Sequence, residues 1–118
     1  MHELPAAQSI LEISLRHAKQ ANATRVTDIH LVIGQLATLV DDSIQFYWEM
    51  IAKDTIAETA MLHFRRVPAQ LQCMVCSEKF SPDGEQIRCP KCDSVGVKVI
   101  AGEEFFVEAI DVDEGVAS

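Results

Sequence analysis

Cys73, Cys76, Cys89 and Cys92 form two Cys-x2-Cys pairs separated by twelve residues, and the chain has no further cysteine. This spacing constrains the fold more than any other feature. Two residues between cysteines let both thiolates of a pair face one ion. Two such knuckles complete a tetrahedron of sulfur ligands, the closed geometry of a structural zinc site. The stretch between them contains Ser81-Pro82-Asp83-Gly84, a turn signature that lets a hairpin bring the knuckles together. A redox dithiol uses one such pair and leaves the other unexplained. With all four positions taken by sulfur, the metal has no place for a substrate and reads as structural.

Iron can use the same four sulfurs, and Cys89-Pro90-Lys91-Cys92 has the look of a rubredoxin knuckle. Zinc suits a ribbon this short. Residues 70–98 contain few large apolar side chains beyond Leu71, Met74, Phe80 and Ile87. Such a segment cannot bury a core of its own, so the metal must supply much of its stability.

The flanking sequence is ordinary globular protein. Leu4, Ala7, Leu11, Leu15 and Ala18, with Ile10 beside them, predict a helix over 6–21. Alternation of Ile29, Leu31 and Ile33 predicts a strand over 26–33, ended by Gly34. A second helix is predicted over 42–53, with Asp42 and Gln45 as a capping box and Ile44, Trp48 and Ile51 as its apolar stripe. Ala60, Leu62 and Phe64 mark a strand over 59–67, closed by Pro68. A last strand near 103–112 carries apolar residues on both faces and returns to the first sheet. The expected class is α+β: a small mixed α/β domain of two helices on a three-stranded sheet, residues 1–68 and 99–118, with a zinc-ribbon-like domain, 69–98, inserted in it.

Ten basic residues face eighteen acidic ones, for a formal charge of -8. A tetrathiolate zinc centre adds about -2. That balance argues against a nucleic-acid surface, which needs Lys and Arg. No apolar run approaches a membrane span, and Met1-His2-Glu3-Leu4-Pro5 has no signal-peptide character. A cytoplasmic location is the default expectation, and there paired cysteines read as metal ligands.

His2 is the quieter feature. A histidine is too large for the initiator methionine to be removed, so Met1 keeps a free α-amine. That amine, the next backbone nitrogen and the His2 imidazole can close adjoining chelate rings on one ion, a donor set that suits Cu(II) or Ni(II). Glu3 can add an oxygen donor or an outer hydrogen bond. On spacing alone, a histidine at position two reads as a surface residue. His17, His30 and His63 read as surface residues too. Asp41 and Asp42 read as helix caps. No phosphate loop and no nucleophile–base pairing is found.

Taken together, Met1-His2-Glu3-Leu4, Gln8-Ser9-Ile10, Ile33-Gly34, Thr55-Ile56-Ala57-Glu58, Pro68-Ala69, the two cysteine pairs and Gly102-Glu103-Glu104 resemble the HypA/HybF nickel metallochaperones of hydrogenase maturation. The likeness covers essentially the whole chain. It departs at Pro5-Ala6, where the family usually has Ser, and at Asp54, where a Gly is frequent. The resemblance implies a protein that is not an enzyme. It implies Ni(II) as cargo at Met1, His2 and Glu3, and structural zinc on Cys73, Cys76, Cys89 and Cys92. The implied partners are the maturation GTPase (HypB) and the large-subunit precursor of a [NiFe]-hydrogenase. The alternative is a zinc-ribbon adaptor that binds proteins and carries no nickel.

Overall fold

A computed structural model of the chain describes residues 3–82 and 87–114. Helix α1 spans Glu3–Gln20 and so begins three residues before the predicted start. Pro5 fits the first turn, where its missing N–H costs nothing, and Glu3 complements the positive end of the helix. The buried stripe is Glu3, Ala7, Ile10, Ser14 and Ala18, joined by Ala6. It shares Ala7, Ile10 and Ala18 with the predicted one, while Glu3 and Ser14 are buried in place of their neighbours Leu4 and Leu15. Leu4 is exposed, and Leu11 and Leu15 are half-buried at its margin. Small residues on the inner face bring the backbone of α1 close to its packing partner. Asn22, with φ of 55°, ends the helix in the left-handed conformation that Asn tolerates.

Strand β1, Ala23–Gly34, buries Ile29, Leu31 and Ile33 as the alternation predicted, and Val26 and Val32 as well. Helix α2 spans Asp41–Ile51 and buries Ile44 and Trp48. Its apolar stripe continues into Ala52 rather than Ile51, and α2 packs against α1. The predicted Asp42–Gln45 capping box does not form. Val40 holds the N-cap position in an extended conformation with no side-chain capping bond. Its backbone N–H instead donates to Glu3 Oε2 at 3.2 Å, so a carboxylate from α1 supplies the half of the box that satisfies the N-cap amide.

Strand β2 is Met61–Val67. In the cysteine segment come β3, Gln70–Cys73, β4, Lys79–Phe80, and β5, Val97–Ala101. The last strand, β6, is Phe105–Glu114. Two three-stranded sheets result, one ordered β2-β1-β6 and the other β4-β3-β5. In the second, β3 pairs antiparallel with both neighbours. The class is α+β, and the last strand does return to the first sheet.

The chain divides into two compact units. The described parts of Met1–Val32, Thr38–Arg65 and Phe106–Ser118 make the first, and Ile33–Ala37 with Arg66–Phe105 make the second. Inside the second unit, the five residues from Ile33 act as a stitch. Gly34 N–H donates to Glu104 O and Leu36 N–H to Gly102 O, both at 2.7 Å, while Gln35 N–H reaches Val67 O at 2.8 Å. A Cβ on Gly34 would lie 2.0 Å from Gly102 O, so only glycine permits this backbone crossing.

Candidate metal centre

The four cysteines come from two loops that share one local geometry. In the first knuckle, Cys73 N–H donates to Glu78 O at 2.9 Å and Ser77 N–H to Cys73 O at 3.1 Å. The second repeats it: Cys89 N–H donates to Ser94 O at 2.9 Å and Asp93 N–H to Cys89 O at 2.8 Å. In both, the residue after the second cysteine is left-handed, with φ of 66° at Ser77 and 61° at Asp93. Each loop therefore folds back on itself and presents its sulfurs on one side.

Backbone amides point at the first sulfur of each pair. Cys73 Sγ accepts from Val75 N–H at 3.3 Å and Cys76 N–H at 3.4 Å, and Cys89 Sγ accepts from Lys91 N–H at 3.4 Å. These are the bonds that stabilise thiolate over thiol. They also pair with burial: Cys73 and Cys89 are buried, Cys76 is half-buried and Cys92 is exposed.

All four Sγ atoms lie within 4.8 Å of one another. Cys73 and Cys92 are 3.5 Å apart, as are Cys76 and Cys89. Those separations far exceed a disulfide's length of about 2.05 Å. They approach the edge of about 3.8 Å that follows from four sulfurs at about 2.3 Å from a central ion. The thiols cannot all ionise by themselves near neutral pH. The Cys76 amide, above the opposing cost of burial, brings Cys73 down to about 6. Although the Ser94 amide works to lower Cys92, its hydrogen bond with Cys73, burial and the remaining sulfurs push it up to about 12. A divalent cation removes this conflict, because it compensates the charge that the sulfurs impose on one another. Donor type, number, spacing and charge all fit a four-coordinate metal.

Of the residues predicted at the amino terminus, Met1 and His2 lie outside the described set. Glu3 is described: it is 2% exposed, and its carboxylate holds the start of α2. Asp41 and Asp42 stand in the first turn of α2 but are not its cap. His17 is exposed. His30 and His63 are drawn into a stacked pair that the sequence reading passed over. The signal was there in two histidines on strands of one sheet, though not in which strands are neighbours. The repeated left-handed residue was also missed, since Ser77 and Asp93 share no residue type.

A family model described as "Hydrogenase/urease nickel incorporation, metallochaperone, hypA" matches residues 1–112. The chain belongs to the HypA family. Among relatives named hydrogenase maturation factor HypA, one from Dehalococcoides mccartyi is 39% identical over 114 residues, covering 97% of this chain and 96% of the relative. Another, from Geobacter metallireducens, is 37% identical over 113 residues, covering 96% of this chain and the whole of that one. The solution structure of the nickel metallochaperone HypA from Helicobacter pylori matches with a TM-score of 0.70 at 22% identity, over 97% of this chain and 99% of that one. A second solution structure of a HypA protein gives 0.73 at 23%, over 95% and 96%. At those identities the structural likeness speaks for the fold. In this HypA chain Asp54, noted above as a departure from the Gly frequent there, has φ of 66°. Aspartate is among the few residues that occupy such a position at small cost.

Proposed function

We propose that this chain is a nickel metallochaperone that takes Ni(II) at its amino terminus and hands it on during maturation of a [NiFe]-hydrogenase. The ligands in this reading are the Met1 amine, the His2 imidazole and Glu3. Cys73, Cys76, Cys89 and Cys92 hold a structural zinc. The chain is not an enzyme: it works in the cytoplasm by docking to a maturation GTPase of the HypB type and to the hydrogenase large-subunit precursor. The observation that carries the reading is a family match that begins at residue 1 and therefore includes Met1-His2-Glu3. Division of labour supports it as well. Nickel that must be released belongs on a site with open positions, whereas a closed four-sulfur tetrahedron is built to keep its ion.

Two parts of the chain have distinct roles in this proposal, an α/β domain of 1–68 and 99–118 for nickel and a zinc domain of 69–98. Nickel titration of the untagged protein tests the reading. One Ni(II) should bind tightly per chain, and both His2→Ala and a variant extended before Met1 should lose that tight binding. If both bind nickel like the native chain, the terminal site is wrong. The alternative is a zinc-ribbon adaptor, favoured by the exposed Met74, Val75 and Val95 on the knuckle loops. It predicts zinc without nickel in the same titration.

A further inference from the structure

His30 on β1 and His63 on β2 stand side by side, their ring centroids 4.8 Å apart and their planes 13° from parallel. His30 Nε2 lies 2.8 Å from Asp111 Oδ2 on β6. His63 Nε2 lies 2.8 Å from Asp28 Oδ1 on β1. Three neighbouring strands therefore contribute four side chains, exposed by 33% to 60%.

The protonation of this quartet follows from its geometry. An ionised carboxylate can only accept a hydrogen bond. Each neutral imidazole must then carry its proton on Nε2 and keep the lone pair on Nδ1. Neither Nδ1 has a protein partner among the described residues. A metal-binding histidine is prepared in this way, with one nitrogen donated to a carboxylate and the other left to ligate. Interstrand ties alone account for the two hydrogen bonds. They leave a lone pair on each of two adjacent, exposed rings available to ligate.

We propose that His30 and His63, oriented by Asp111 and Asp28, form a further site for a divalent transition metal, with Nδ1 of each ring as ligand and the remaining positions open. Metal–imidazole bonds of about 2.0–2.1 Å require the two rings to tilt toward each other, which exposed side chains allow. Nitrogen donors favour Zn(II), Ni(II) or Cu(II) over hard cations. With two protein ligands the site exchanges its ion readily. It shares no residue with the cysteine cluster or the amino terminus.

The test uses full-length His2→Ala protein supplied with one equivalent of Zn(II) for the cysteines. Further Zn(II), a diamagnetic probe, is then added while imidazole nitrogen resonances are followed. Both rings should start in the Nε2–H form, and both Nδ1 signals should shift together. His63→Gln should abolish the shift at His30, and Asp111→Asn should weaken binding about 10–100-fold. An Nδ1–H form, unmoved Nδ1 signals, or an undiminished His30 response in His63→Gln overturns the site. Undiminished affinity in Asp111→Asn overturns the orienting role. Circular dichroism of each variant checks that it is folded. Failure of the terminal nickel reading would appear separately, as undiminished tight nickel binding in the double variant His2→Ala with His63→Gln.

Discussion

Ser14 faces inward from α1 with its Oγ fully buried and without a hydrogen-bond partner among the described residues. A buried hydroxyl of this kind costs about 1–3 kcal/mol when nothing satisfies it. Ser14→Ala should therefore raise stability by about 1 kcal/mol in urea unfolding; a loss would mean that the hydroxyl is satisfied in solution. Glu3 is the opposite case, a buried carboxylate with a defined task at Val40 N–H. Glu3→Ala should cost about 1–3 kcal/mol and Glu3→Gln, which keeps an acceptor, clearly less. Equal losses would shift the weight from the hydrogen bond to the charge. Asp28 supplies a pH dependence. Its folded pKa lies below the ordinary 3.8, so its contribution is fully present above that value and fades as pH falls through the folded pKa. Asp28→Asn should be less stable than the parent at neutral pH and converge with it in strong acid.

Elements show where sequence periodicity sufficed and where it did not. Apolar alternation located β1 and β2 because each has a face turned to the core. On α1 it placed Ala7, Ile10 and Ala18 correctly but weighted Leu11 and Leu15 above Ser14, which is the buried one. Close packing of two helices prefers the small residues inside. The capping box on α2 failed because its task fell to Glu3, thirty-seven positions from Val40, and local pattern carries no such contact. Gly34 illustrates a related limit: its need for glycine comes from the Gly102 backbone crossing it. Gly34→Ala should cost about 1–3 kcal/mol or more, because backbone and not a flexible side chain must give way. Within the knuckles, spacing revealed the ligands but not the left-handed residues that shape the loops.

For the whole molecule, the cysteine pattern and the motifs scattered from Met1 to Glu104 were enough to read the class, the cluster and the family. Each is fixed by residue identity at known spacing. What stayed hidden depends on tertiary adjacency, notably the pairing of His30 with His63. The second unit has a modest apolar core, with Ala69, Leu71 and two cysteines among its buried residues. Removal of the metal should therefore unfold it selectively. Hydrogen exchange after chelation is expected to lose protection in β3 and β5 while α1 and α2 keep theirs. Uniform loss across both units would show that they unfold together.

The two knuckles, alike in backbone, place their sulfurs unequally. Cys73 and Cys89 are enclosed, and Cys92 faces solvent. For any ion held there, Cys92 is the sulfur most open to a competing chelator and Cys76 the next, while the enclosed Cys73 and Cys89 keep their grip until last. Ligand exchange then proceeds in sequence from the outside inward, so thermodynamic retention and kinetic lability reside on different atoms of one tetrahedron.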